Sequence, residues 1–484
     1  MRGNLTSGLA RRRLANGSSR TCSQELRLRF CSGLVFLLIV TVLSVATASA
    51  QPPAALLRIK IADRHGFTTQ DGKGFVPFGV SYYRPGQGWA PQLWKQFDPE
   101  ATRKDFARMK ESGVNCARVF LTYGSFLMES NRVSPEGLAK FDQFLDIAER
   151  AGIYVMPTGP DHWEGTPDWA KGDRIADDMA LSALEIFWKE FATRYRNRTV
   201  IFAYDLRNEP EVAWDTAAML QKWKAWCAKK NYSAPASPIP PQKDCADCAQ
   251  LLDFQHFREE IADEWTKRQV VAIKSADPRA LVTIGMIQWS VPSVLPSSWH
   301  YAAFRPERQA KFLDFLTIHF YPLANGHYDY QPADETKNLA YLENVVSEVA
   351  RCGKPVVVGE FGWYGGGKLN YGKFPAATEE QQARWCGEVV TSTAGMACGW
   401  LNWGFYDQPE AGDVSQLTGL VKADGETKAW GREFKELSDR YAGKKLKPPK
   451  IGARPQLNWD ACITSAAARA EFNKEYLKAY ENSR

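Results

Sequence analysis

Eight short apolar runs, separated by stretches with helical character, constrain this chain more than any other feature of its 484 residues. They fall at 79–83, 114–121, 153–158, 200–206, 280–286, 315–320, 356–359 and 398–403. Their mostly apolar residues do not alternate cleanly with polar ones, so each reads as a strand buried on both faces, which requires covering helices. The intervening stretches supply them. Asp98-Pro99 and Ser134-Pro135 are helix starts, each a capping side chain followed by a ring that presets φ, and Gly113 and Gly152 are stops. Further helices are predicted over 177–196, 216–230, 252–275, 334–352 and 378–393. Eight strand-and-helix units are what a closed parallel sheet requires, so the expected fold class is α/β, a (β/α)8 TIM barrel.

Three segments lie outside that repeat. An N-terminal hairpin is predicted from the runs 57–61 and 74–78 around the turn Asp71-Gly72-Lys73. After the fourth strand and its helix, residues 231–247 are rich in Pro, Ser and Ala and hold Cys245, with Cys248 just beyond, which reads as a surface insertion clipped by a disulfide to a neighbour such as Cys227. The pair Cys245-Ala-Asp-Cys248 lacks the second pair that a zinc site would need. Cys116, inside a strand, reads as a buried thiol, and Cys462 as a tie for the C-terminal extension, which ends in a helix after Thr464.

Residues 1–50 contain seven Arg and one Glu, an apolar run over 34–45 and the small-residue motif Ala48-Ser49-Ala50. That is secretory leader architecture, with an uncleaved anchor as the alternative. The chain thus divides into a leader (1–50), a catalytic barrel (51–445) and an extension packed on the barrel (446–484), and secretion or periplasmic export is expected. The leader also carries the whole formal charge of +6, so residues 51–484 are neutral and offer no electrostatic footprint for nucleic acid. Seventeen Trp suit a core, and they also suit flat faces on which sugar rings stack.

Chemistry concentrates where the strands end. Asn208-Glu209-Pro210 terminates the fourth run, with Pro210 expected to keep Glu209 extended. Glu360 terminates the seventh in Gly359-Glu360-Phe361-Gly362, 151 residues later. Two carboxylates at the carboxyl edge of a parallel sheet are what glycosidic cleavage needs, one to protonate the leaving oxygen and one to meet the developing oxocarbenium ion. Arg118, His162, His319, Tyr321 and Trp403 occupy the same edge, and Trp163, Trp169, Trp289, Trp363 and Tyr364 follow on its loops. Each also has a plain structural reading: a turn closing a core strand for Asn-Glu-Pro, a buried ion pair for Arg118, barrel packing for Trp403.

The motifs Gly113-Val-Asn-Cys-Ala-Arg118, Asn208-Glu-Pro210, His319-Phe-Tyr321, Gly359-Glu-Phe-Gly362 and Trp403, in this order, resemble the clan A retaining glycoside hydrolases, most closely family five, the cellulase and mannanase family. The resemblance covers residues 75–441. It implies Glu209 as general acid/base, Glu360 as nucleophile, Asn208 on the sugar 2-hydroxyl, Arg118 and Tyr321 aligning Glu360, His319 tuning Glu209, and Trp403 as the floor under the cleaved sugar. The family carries a His immediately after strand three, whereas His162 follows the predicted strand end Thr158 by four residues. The implied activity is metal-independent and cofactor-free retaining hydrolysis of a β-linked glycan, as an endo-β-1,4-glycanase of cellulase type, with β-mannanase or another family-five specificity as the alternative. A silent carbohydrate-binding barrel is the rival from another class. The expected partner is the glycan alone, the expected state a monomer, and a membrane enters only if the leader is retained.

Overall fold

A computed structural model describes residues 55–87, 92–231, 249–295, 300–324, 327–329 and 331–483. Eight parallel strands close into a barrel in sequence order: β1 Phe78–Ser81, β2 Cys116–Thr122, β3 Tyr154–Asp161, β4 Tyr204–Asn208, β5 Val282–Met286, β6 Leu316–Phe320, β7 Val356–Phe361 and β8 Trp400–Asn402. The ring closes where Trp400 of β8 pairs with Phe78 of β1.

The local signals in the sequence account for the helices around it. Asp98 accepts the N–H groups of Glu100 and Ala101 at the start of Pro99–Glu111, and Ser134 caps Pro135–Ala151, which Gly152 ends in the left-handed region at φ +67°. Thr378 and Gln381 form a reciprocal capping box on Glu379–Thr393. The fifth unit departs from the repeat. Its helix is the four-residue Pro306–Gln309, because the segment after β5 is drawn into a turn at Gln288–Ser290 and a buried loop.

The fourth run also begins later than its composition predicts. Ile201 makes only an isolated bridge to Val155, and β4 starts at Tyr204. Phe202 and Ala203 instead join a floor of apolar side chains at the N-terminal end of the barrel. The N-terminal hairpin is a three-stranded flap, Ile59–Asp63, Gly66–Thr69 and Gly74–Phe75, with a second turn at Arg64-His65. It supplies Ile59, Phe67 and Phe75 to that floor, Phe67 meeting Phe202 and Phe315 edge-on at 5.1 and 5.2 Å. This plug seals one mouth, which leaves the carboxyl mouth open for a ligand.

The predicted disulfides are not found among the described residues. Cys116, Cys227, Cys352, Cys386, Cys398 and Cys462 all carry free thiols, and Cys245 and Cys248 lie outside the described residues, as does the leader. Cys462 is buried between apolar neighbours, so packing and polar contacts fix the extension instead. Helices Trp459–Thr464 and Ala466–Glu481 lie against the barrel, Arg454 Nε donates to Glu343 Oε1 at 2.6 Å, and Asn473 Nδ2 donates to the Ser293 carbonyl at 2.6 Å. Among the described residues no helix is long and apolar enough to cross a membrane.

Candidate active site

Arg118, fully buried in β2, organises the open mouth. Its Nε and Nη2 donate to Asp205 Oδ2 at 3.0 Å each, Nη1 donates to Glu360 Oε2 at 3.0 Å, and Nη2 also reaches Asn208 Oδ1 at 2.8 Å. One rigid fork therefore fixes groups from β4 and β7 together, which a flexible ammonium could not do. Asp205 is held in turn by Thr158 Oγ1 at 2.9 Å and the Gly285 N–H at 2.7 Å. Gly285 must stay small, because a Cβ there would stand 2.8 Å from His319 Nε2 and 3.0 Å from Arg118 Nη2.

The expected extended backbone at Glu209 is not what forms. Its φ is +42°, in the left-handed region, and its N–H donates to the Gly285 carbonyl at 2.8 Å. That conformation costs on the order of 1–3 kcal/mol in a residue other than Gly, and such strain gathers at functional sites. Its carboxyl Oε1 lies 2.9 Å from His319 Nδ1. Glu360 takes a second donor from the Tyr321 hydroxyl at 2.8 Å, and Tyr321 is clamped through its own backbone by Gln288, at 2.8 and 3.1 Å.

A carboxylate oxygen of Glu209, one of Glu360 and a ring nitrogen of His319 all lie within 4.8 Å of one another. A metal would find three ligands here, but the Arg118 guanidinium already supplies positive charge to Glu360. Burial pushes Glu209 up from 4.5 to about 7, against the pull of Arg118 and with a further push from Asp161. Burial lowers His319 to about 4, so its ring is neutral near pH 7. Glu360 is also raised by burial, while His319, Arg118 and the Tyr321 hydroxyl draw it back toward the ionised form. Only Glu360 has both a charged donor and a hydroxyl donor, so a single proton shared by the two carboxyls resides on Glu209.

A cavity of about 280 Å³ opens above the pair, lined by Asn208, Tyr321, Trp163, Trp363, Tyr371, Phe374, Trp403, Asp413 and Val414. Trp403 is locked by its Nε1–H to Ser415 Oγ at 2.7 Å and backed by Tyr83 and Phe120 at 5.3 and 5.9 Å. A larger cavity of about 520 Å³ lies between Glu335–Ala350 and the C-terminal helix, away from these carboxyls.

The structure brings Asn208, Glu209, Tyr321, Glu360, Trp363 and Trp403 to one cavity, with Arg118 and His319 directly beneath. It does not bring Trp289. The turn at Gln288–Ser290 packs that ring with Ile287 and Ala302 in a separate cluster. Trp169 also lies elsewhere, donating to the Met128 carbonyl at 2.9 Å. Tyr364 stands behind the wall, its hydroxyl on the Pro375 carbonyl at 2.8 Å. β3 runs three residues further than predicted, to Asp161, which places His162 immediately after the strand. Its ring bonds Asp161 at 2.6 Å and lies tilted against Trp163 with centroids 4.2 Å apart, outside the residues that line the cavity.

Sequence reasoning missed Asp205, Tyr371, Phe374 and Asp413. The first had a signal, a lone carboxylate inside an apolar run. The others sit in loops without periodicity, where only the path of the backbone places them.

A family model described as cellulase, glycosyl hydrolase family 5, matches residues 69–408, well over half of the chain. A probable mannan endo-1,4-beta-mannosidase A of Aspergillus flavus is 25% identical over 365 residues, covering 68% of this chain and 80% of its own length. Among solved structures, an exo-beta-1,4-mannosidase from Opitutaceae bacterium strain TAV5 shares the fold at a TM-score of 0.59 and 18% identity, covering 79% of this chain, which spans 62% of that longer one. A GH5_18 protein from Bifidobacterium longum subsp. infantis gives 0.59 at 16% identity, covering 85% and 90% of the two chains. From its barrel, its paired strand-end carboxylates and the family match across them, the chain belongs to glycoside hydrolase family 5.

Proposed function

We propose that this glycoside hydrolase cleaves β-mannosidic bonds by retaining double displacement. The observation that carries the mechanism is the placement of Glu209 and Glu360, with one carboxylate oxygen of each within 4.8 Å of the other at the open mouth. So close an approach suits the ~5–5.5 Å carboxyl separation of a retaining pair better than the ~6.5–9.5 Å that leaves room for an inverting water. Mannan is favoured over the cellulose expected from sequence because a similar protein that covers two thirds of the chain is a probable mannanase.

In the first step Glu360 attacks the anomeric carbon as the Glu209 proton passes to the leaving oxygen, so one C–O bond forms while the glycosidic bond breaks. In the second, Glu209 takes a proton from water, whose oxygen displaces Glu360 and restores both groups. Arg118 and Tyr321 hold Glu360 ionised and aimed. Neutral His319 orients Glu209 without adding a positive charge that would strip its proton. Asn208 has given its Oδ1 to Arg118, which leaves its Nδ2 to donate to the sugar 2-hydroxyl. Trp403 is the sugar's floor. The Arg-rich, apolar leader supports export, which N-terminal sequencing of the exported protein checks.

A reducing-sugar screen over mannans, cellulose and mixed β-glucans, with NMR of the fresh product anomer, tests this reading. Release of the β-anomer first from mannan is the expected result. First release of the α-anomer, or full activity of E360Q on an unactivated glycan, would refute it.

A further inference from the structure

The loops after β7 and β8 line one flank of the cavity, and the flank they occupy bears on how a glycan lies in it. An acid must stand beside the leaving oxygen, so the departing part of the glycan exits over β4, the strand that carries Glu209. In the eight-stranded ring, β8 lies diametrically opposite β4. The loops after β7 and β8 contribute Tyr371, Phe374, Asp413 and Val414, and these side chains line the cavity next to Trp403. They therefore stand where the retained part of the chain would have to continue.

The wall is braced. The Asn370 N–H donates to Gln416 Oε1 at 2.8 Å, the Gln416 amide nitrogen contacts Asn370 Oδ1, and the same nitrogen reaches the Ala411 carbonyl at 2.5 Å. The Gly365 N–H donates to the Leu417 carbonyl at 3.1 Å. These contacts tie the loop after β7 to the loop after β8. Tyr371 and Phe374 pack with ring centroids 5.3 Å apart, and Phe374 leans on Tyr364 at 6.0 Å.

At this wall stands one carboxylate. Asp413 uses Oδ1 to cap the turn Val414–Leu417 through the Ser415 N–H at 2.9 Å, and Oδ2 has no protein hydrogen bond among the described residues. A polar acceptor among the aromatic side chains that line the cavity suits a terminal sugar, whose free hydroxyls must be satisfied when water leaves.

We propose that the cavity receives the non-reducing end of the glycan, that the braced wall stops the chain there, and that Asp413 accepts hydrogen bonds from the terminal sugar's hydroxyls. Cleavage then proceeds from the chain end. This rests on the double-displacement reading above and narrows its substrate to chain termini.

The test uses manno- and cellohexaose labelled at the reducing end, each with a twin whose non-reducing sugar is O-methylated. Chain-end action yields early labelled products all shortened by one fixed step, and the methylated twins react at least 100-fold more slowly. D413N keeps the capping oxygen, so its melting temperature should hold. It should lose about 10- to 100-fold in kcat/KM on the free hexaose, mostly through KM, and should discriminate less against the methylated twin. A spread of internal fragments with equal rates on the twins would overturn the chain-end proposal while leaving the double displacement intact. Unchanged kcat/KM in D413N would overturn the role of Asp413. No turnover of either hexaose or of aryl β-glycosides would overturn the underlying reading as well.

Discussion

Replacing Glu209 by Gln separates what this side chain does for chemistry from what it costs the fold. Its folded pKa of about 7 lies above the ordinary 4.5, chiefly through burial. At about 1.4 kcal/mol per unit, the difference corresponds to about 3 kcal/mol. The sign follows from proton counting. Between pH 4.5 and about 7 the folded protein holds a proton that an unfolded Glu has released, so stability falls as pH rises through that window. Above it the fold bears the penalty of an ionised, largely buried carboxyl. Gln is neutral at every pH, nearly isosteric, and keeps a polar partner for His319 Nδ1. E209Q should therefore match wild type at pH 4 and exceed it by up to about 3 kcal/mol at pH 8.5, read from paired denaturant titrations across the range. In the same protein, kcat/KM on an unactivated glycan should drop by about 10²–10⁴ while kcat/KM on substrates with good leaving groups falls little, their kcat being limited by the slowed second step. Wild-type kcat/KM should decline above about pH 7 as the acid ionises, and the residual activity of E209Q should lack that limb. A stability difference that is flat in pH, or that grows toward acid, would refute the assignment of the proton to Glu209.

Other substitutions probe the supports. Arg118→Lys leaves a single ammonium to serve Asp205, Asn208 and Glu360, so we expect a loss of about 3–5 kcal/mol in denaturation and a collapse of kcat. Tyr321→Phe removes a hydrogen bond that favours ionised Glu360, so the acid limb of kcat/KM should move up by about 1–2 pH units, and an unmoved limb would remove Tyr321 from this role. Gly285→Ala drives a methyl toward His319 and Arg118, which should cost about 1–3 kcal/mol and depress kcat more than it raises KM. Chelator should leave turnover unchanged, because Arg118 supplies the charge beside Glu360.

The barrel was legible because its signals are local: each strand is a short apolar run, and each helix start a capping side chain before Pro. The mouth was legible because a parallel sheet puts strand ends together, so Arg118, Glu209, His319, Tyr321, Glu360 and Trp403 needed only their strand positions. What failed depended on side-chain direction. Trp289 and His162 occupy the right edge, yet a turn after β5 points one ring into the protein and a bond to Asp161 draws the other aside. Asp205 failed for the opposite reason. Within β4 it read as part of a core run, although a carboxylate buried in apolar surroundings requires a cation, and Arg118 is that cation.

The two glutamates differ because of what surrounds them, and that difference must change during turnover. Two carboxylates with oxygens within 4.8 Å of each other repel by at least about 3 kcal/mol at an effective dielectric constant near 20, enough to keep one protonated near neutral pH. Arg118 and Tyr321 both donate to Glu360, so the proton goes to Glu209, whose carboxyl bonds a neutral imidazole. Once Glu360 becomes a glycosyl ester its charge is gone. Arg118 then loses one of its two carboxylate partners, and its field acts more strongly on Glu209, which should ionise more readily just when a base is required. Glu360→Gln imitates that neutral state. In E360Q the Glu209 carboxyl, followed by carbon-13 NMR, should titrate at least ~1 unit below the wild-type value near 7. An unchanged or higher value would mean that burial alone sets the proton on Glu209, and that the same carboxyl cannot serve as acid and base through the charge of its partner.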